Sequence, residues 1–329
     1  MRVTHKSTFI PYQRNLDEIQ NRKFKEEIRL STGKDITSLS DNPSNFVDAK
    51  MFSSKIAQND NYYNIIQDSL SELRAVEESL EFISDNVRKI RELAIDATQI
   101  GNSGNAHSLS VFIKGIMEDI LKQSNVDFNG KYLFSGTKTT PESMADAPEN
   151  NKVPFELKKV PPTAENPSGM ELVFHGNFKD RIINKDGKTT EIINTKADDI
   201  FGEDFELFDS ILELYNLLAF KADGTPRQEF DNINTDDFDK LNILQKKLAD
   251  YTEKIDKANG ENGAKINRLE LIADQTTSET IRLKEYRSIK EDTDVARTAV
   301  NLQMEEIALR YSLQVGSSIM RNSLFDFLR

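Results

Sequence analysis

Between Tyr62 and Gln99 the apolar residues recur with alternating spacings of three and four. One set of positions reads Ile66, Leu73, Leu80, Val87 and Ala94, the interleaved set reads Ser69, Val76, Ile83, Ile90 and Ala97, and only Ser69 breaks the pattern. Glu, Asp, Arg and Lys fill the other faces. The pattern predicts one long helix with a single narrow seam, about 57 Å long at 1.5 Å per residue. One apolar stripe does not hold a helix of that length in water, so the seam, carried by Ile66, Leu73, Val76, Leu80, Ile83, Val87 and Ile90, must be covered by another part of the chain.

Helical spacing also marks both ends of the chain. Phe9, Tyr12, Leu16, Ile19, Phe24 and Ile28 give a thin amphipathic helix that Gly33 ends, and Ser40, Asp41 or Asn42 can cap a following helix with Pro43 in its first turn. After a turn at 101–105, a second helix is expected from about Ser108 to Asn125, closed by the hairpin pair Asn129-Gly130. From Asp236 onward Phe238, Leu241, Leu244, Leu248, Tyr251, Ile255 and Ala258 form one seam, which Ile266, Leu269, Ile272 or Ala273, Leu283, Tyr286 and Ile289 extend. Gly260 and Gly263 weaken its middle by about 1 kcal/mol each relative to Ala, which leaves room for a bend. A last run, Val300, Met304, Ile307, Tyr311, Val315 and Ile319, is again spaced by three and four.

The middle differs. Five prolines fall between Thr137 and Asn166, Glu171–Phe174 and Ile182–Ile193 read as strands, the latter with an Asp186-Gly187 turn, and Phe205–Phe220 reads as a short buried helix. The fold class expected is therefore mainly α: an elongated rod of long antiparallel helices from both chain ends, with a small mixed, β-rich domain inserted at its tip. The expected divisions are 1–40 with 285–329 as terminal coiled-coil segments, 41–136 with 236–284 as the helical rod, and 137–235 as the insert.

Composition narrows the function. Of 329 residues 30% are charged and 37% hydrophobic, lean for one large globular enzyme, and a mean hydropathy of -0.57 fits helices with much wet surface. A net charge of -12 argues against general affinity for nucleic acid or an acidic membrane face. The absence of cysteine removes disulfides, thiolate metal sites and cysteine nucleophiles. Residues 1–16 have no apolar run of the usual secretory kind, and the most apolar stretch, Leu212–Phe220, is too short to span a bilayer. His5, His107 and His175 lie far apart and read as surface residues. The acidic cluster Asp231, Asp236, Asp237 and Asp239 fails as an EF-hand, because counting from Asn232 the sixth and twelfth positions hold Asp237 and Ile243 instead of Gly and Glu. No catalytic residues, metal ligands or cofactors are assigned.

Several motifs meet a known pattern. Leu30-Ser-Thr-Gly-Lys34, Ser40-Asp-Asn-Pro43, Arg91-Glu-Leu-Ala94 and Asn129-Gly-Lys-Tyr-Leu-Phe-Ser-Gly136 resemble the N-terminal region of the flagellin superfamily. Asn267-Arg-Leu269, Glu291-Asp-Thr-Asp294 followed by Val295-Ala296, and Leu324-Phe-Asp-Phe-Leu328 resemble its C-terminal region. Pro43, the Tyr132–Gly136 ending and the Leu324–Leu328 motif resemble the hook-associated branch more than the filament subunit. Asn42 departs from the pattern, since family members usually carry a second acid there.

The resemblance implies a structural adaptor, not an enzyme, that forms a subunit ring between hook and filament and transmits torque. Its partners would be further copies of itself, a neighbouring hook-associated protein on the hook side, flagellin on the filament side and a cytoplasmic export chaperone at the C-terminal segment, with no nucleic acid or membrane. It implies export through the flagellar type III apparatus. It also implies that the terminal segments stay disordered in the monomer and fold on assembly, with subunit contacts through Phe9, Tyr12, Leu16, Ile19, Leu324, Phe325, Phe327 and Leu328. The alternatives are the filament subunit itself and a secreted enzyme carried on a flagellin-like rod.

Overall fold

A computed structural model describes residues 6–99, 103–144, 147–148, 152–163, 166–229, 231 and 233–327; for residues 6–9, 103, 235–236 and 319–327 it describes the backbone alone. Seven α-helices and six short strands occur among these residues. The chain divides into two compact units, residues 61–276 and residues 1–60 with 277–329, and each takes part of the two longest helices.

In the unit of residues 61–276, the heptad stretch belongs to α2 (Pro43–Thr98) and its counterpart to α6 (Thr235–Glu291). Both seam sets of α2 are buried: Ile66, Leu73, Leu80, Ile83, Val87, Ile90, Ala94 and Ala97 are fully enclosed, Val76 is 1% exposed and Ser69 4%. Ser69 escapes the cost of an unpaired hydroxyl because its Oγ donates to Ile65 O at 2.7 Å. Partners on α6 run in the opposite direction. Gln245 donates to Ala94 O (2.9 Å), Asp256 accepts from Ser84 and Arg88 (both 2.7 Å), Asn262 donates to Leu73 O (2.8 Å), and Glu270 pairs with Arg74 (2.8 Å). The two helices thus pack antiparallel within one chain. α6 is one continuous helix through Gly260 and Gly263.

α3 (Ala106–Ser124) runs back along α2, where Gln123 donates to Ser79 Oγ at 3.0 Å. β1 (Asp127–Phe128) and β2 (Lys131–Tyr132) follow, turned by Asn129 at φ 53° and Gly130 at φ 75°, the left-handed pair that a two-residue hairpin requires. The region 137–235 is mixed. It holds two separate antiparallel hairpins, β3 (Phe155–Lys159) with β4 (Met170–Phe174) and β5 (Ile182–Asn184) with β6 (Thr190–Ile192), together with α4 (Ala197–Phe201) and α5 (Glu206–Ala219). Asn125, just past α3, exchanges two 2.8 Å hydrogen bonds with the Phe155 backbone and so docks the first hairpin. Phe155 then anchors a ring cluster with Phe174 (4.9 Å), Phe201 (5.2 Å) and Phe205 (5.7 Å) over α5.

His175, read from the sequence as a surface residue, is buried at the end of β4, with Nε2 3.2 Å from Glu156 Oε2 across the hairpin. A lone histidine gives no periodic signal, so only the strand pairing fixes its burial.

The seam makes a direct test. Ile83→Ala should cost about 2–5 kcal/mol in urea unfolding, since the removed side chain is wholly enclosed. Glu81→Ala, two residues away on the wet face, should stay within about 0.5 kcal/mol.

Candidate assembly surface

The unit of residues 1–60 and 277–329 holds α1 (Lys6–Thr32), the start of α2, the end of α6 and α7 (Val295–Phe327). α1 packs on α7 in antiparallel order: Arg22 pairs with Glu305 (2.8 Å), and the Tyr12 ring lies over Gly316. The contact is so close that a Cβ added at 316 would fall 2.0 Å from the Tyr12 hydroxyl oxygen, which explains the glycine in mid-helix.

The turns between helices are stitched to one another. Gly33, at φ 70°, ends α1 and accepts from Thr293 N (2.9 Å), while Asp35 N donates to Glu291 O (2.8 Å) and Lys34 pairs with Glu291. Asp294 Oδ1 accepts from Arg297 N (3.1 Å) and caps α7, and Asn42 Oδ1 accepts from Asn45 N (3.2 Å) and caps α2. Asp41 instead gathers Lys25 Nζ (2.7 Å) and the Ser38 amide (3.0 Å). The Lys25 ammonium, reinforced by the Thr37 and Ser38 donors, holds its carboxyl well below the usual carboxylate range.

The residues expected to contact neighbouring subunits are distributed unevenly. Tyr12, Leu16 and Ile19 are half-buried. Phe9 has helical backbone in α1, and Leu324, Phe325 and Phe327 have it in α7, but their side chains lie outside the described residues, as does Leu328 altogether.

The apolar run spaced by three and four along α7 is not the face turned to α1. Val300, Met304, Ile307, Tyr311 and Val315 are 44–63% exposed. The protected positions are Thr298, Asn301, Leu302, Glu305, Ala308, Leu309, Ser312 and Gly316, a mixed face in which Gly316 lets the Tyr12 ring come close. Spacing locates both faces, because each repeats by three and four, but spacing does not rank a stripe of bulky residues against a mixed one. Tyr286 and Ile289, which the spacing adds to the α6 seam, are 54% and 77% exposed, because the helical pattern alone does not show where the covering partner ends. Phe24, on α1, is 62% exposed. A monomeric surface rarely leaves so many large apolar side chains together in water.

Chemistry of another kind is not assembled. Among the described residues no group of three or more His, Asp or Glu side chains is placed to hold a metal ion. A cleft of about 250 Å³ beside the turns is lined by Lys34, Phe46, Lys50, Arg287 and Glu291, where Glu291 already pairs with Lys34. No helix among the described residues is long and apolar enough to cross a membrane.

Residues 3–139 match the family model described as the bacterial flagellin N-terminal helical region. The chain is similar to flagellar hook-associated protein 3 of Escherichia coli (strain K12), 24% identical over 97% of this chain and 98% of that one. It is also similar to flagellin 1 of Proteus mirabilis, 28% identical over 45% of this chain, and it spans only 41% of that relative's length. In structure it shares the fold of the flagellar junction protein FlgL from Legionella pneumophila, with a TM-score of 0.55 over 74% of this chain and 100% of that one at 13% identity. The resemblance read from the motifs, and the mainly helical fold it implied, are borne out.

The Asp41 knot gives a pH test. A depressed pKa contributes stability that is present above the ordinary value of about 3.9 and is lost as pH falls toward the folded-state value. The Thr37 and Ser38 amide resonances should therefore titrate with a midpoint clearly below 3.9 in the intact protein, and Lys25→Ala should move that midpoint upward.

Proposed function

We propose that the protein is a structural adaptor of the bacterial flagellum that forms the junction between hook and filament. Subunits assemble as a ring, join the filament to the hook and carry torque between them. The observation that carries this reading is the outward apolar stripe of α7, Val300 to Val315, on a chain similar from end to end to a hook-associated protein. Burying such a stripe against neighbouring subunits supplies the driving force for assembly, and the residues toward the two ends of the chain, Phe9, Tyr12, Leu16 and Ile19 with Leu324, Phe325, Phe327 and Leu328, belong to the same contact in this reading. The terminal segments order when subunits meet, and the exported monomer travels unfolded through the flagellar type III apparatus with a cytoplasmic chaperone at its C-terminal segment. Its neighbours are a second hook-associated protein on the hook side and flagellin on the filament side. The protein has no enzymatic role; the relatives it resembles are structural parts of the flagellum.

A second reading, the filament subunit, is favoured by the likeness to flagellin 1, but that likeness covers less than half of the chain. Electron microscopy of purified protein added to filament seeds separates the two. The adaptor reading expects no elongation of the seeds, and long filaments would overturn it. Replacing Met304 and Tyr311 together by serine should leave the thermal midpoint of the monomer within a few degrees, because both side chains are 62–63% exposed, while reducing swimming and filament attachment.

A further inference from the structure

The seam between α2 and α6 is broken at one level. On one side lies a large core formed by Val76 to Ala97 of α2 and Leu241 to Ala258 of α6, with α3 and α5 packed on it. On the other lies a separate small core of Ile66, Leu70 and Leu73 with Ile266, Leu269 and Ala273. Between Ala258 and Ile266 the position that should carry an apolar side chain holds Asn262. It is fully enclosed, its Nδ2 donates to Leu73 O at 2.8 Å, and its Oδ1 has no hydrogen-bond partner among the described residues. The Oδ1 of Asn259, one turn earlier, is buried and unpartnered as well. A layer of this kind contributes little cohesion between the helices, since it replaces apolar contact with a polar group only partly satisfied.

The same turn of α6 carries Gly260 and Gly263. Neither has a left-handed backbone, and a Cβ at either site would meet nothing within 4 Å. Packing and turn geometry therefore do not call for glycine, unlike Gly316, where Tyr12 leaves no room. Two glycines in a helix interior lower its local stability and stiffness.

Both flanks are braced. The small core is clamped by the β5–β6 hairpin: Ile193 is part of it, Arg181 pairs with Glu72, Arg268 with Glu191 (2.7 Å), and Lys265 donates to Asn194 O (2.8 Å). The large core is braced by α3 and α5. Two braced cores thus meet at this layer of the helix pair, and the short stretch from Ile193 to Ala197 joins them beside it.

We propose that residues 259–263 of α6, facing the Leu73 turn of α2, form a flexural hinge that lets the two cores incline relative to one another without unfolding. The hinge stands on the helix pair alone and does not rest on the adaptor reading, although a coupling that meets bending loads has an evident use for it.

The protein lacks cysteine, so spin labels can be placed cleanly at Lys246→Cys and Asp274→Cys, exposed sites on α6 on either side of the layer and about 42 Å apart along a straight helix. Pulsed electron resonance on the full chain should give a broad distance distribution that narrows in the Gly260→Ala, Gly263→Ala variant, while Gly115→Ala in α3, equally free of clashes, leaves it broad. Hydrogen exchange should show amides 259–266 opening faster than 244–255 and 267–275, slowed about fivefold or more by each glycine replacement in α6. Uniform protection from 244 to 275, or a distribution whose width the double variant does not change, would overturn the hinge.

Discussion

The antiparallel pairing of α2 and α6 is the constraint on which the unit of residues 61–276 depends. Neither helix has the propensity to persist alone at such length, and each carries a stripe too narrow to bury itself. Bringing them together encloses Leu80, Ile83, Val87 and Ile90 with Leu241, Leu244, Leu248 and Ile255, and Leu73 with Ile266 and Leu269. The hydrogen bonds from Asn262 to Leu73 O and from Gln245 to Ala94 O tie the two helices at two levels. With this frame in place, α3 and α5 cover one flank, and the Phe155 ring cluster seats the first hairpin. Chain topology follows from the same pairing: the two partners lie far apart in sequence, so everything between them is free to form a local, mixed region.

The other unit obeys the opposite rule. α1 and α7 meet through a mixed face, with Tyr12 over Gly316 and Arg22 paired with Glu305, while the bulky stripe of α7 faces water. A helix pair that wanted only its own stability would turn those stripes inward. Leaving Met304 and Tyr311 outside leaves that apolar area unburied within the chain. The stitched turns, Gly33 to Thr293, Asp35 to Glu291 and Lys25 to Asp41, hold the starts of the helices so that the stripe is presented on an ordered backbone.

Much of this was legible in the sequence because heptad spacing is a physical statement about which side chains share a face. It located the α2 seam, with Ser69 as its one polar member, the long α6, the short α5 and the Asn129-Gly130 turn. It did not decide which stripe of α7 faces α1, because contact distance depends on side-chain size on both helices and a glycine gives no hydrophobic signal. It placed a weak point at Gly260 and Gly263, where the structure keeps a continuous helix and the weakness shows instead in the buried, half-satisfied Asn262. His175 was misplaced because its burial comes from a cross-strand partner, Glu156, nineteen positions away. The motif resemblance carried the function further than any pocket does, since an assembly surface is recognised by exposed apolar area and not by converging acids and bases.

Position in the flagellum is the most direct test of the whole account. Gold-labelled antibody against residues 137–235, applied to flagella isolated from the native bacterium and viewed by electron microscopy, should mark a single narrow band where hook meets filament. Labelling along the length of the filament, or none at that boundary, would contradict it.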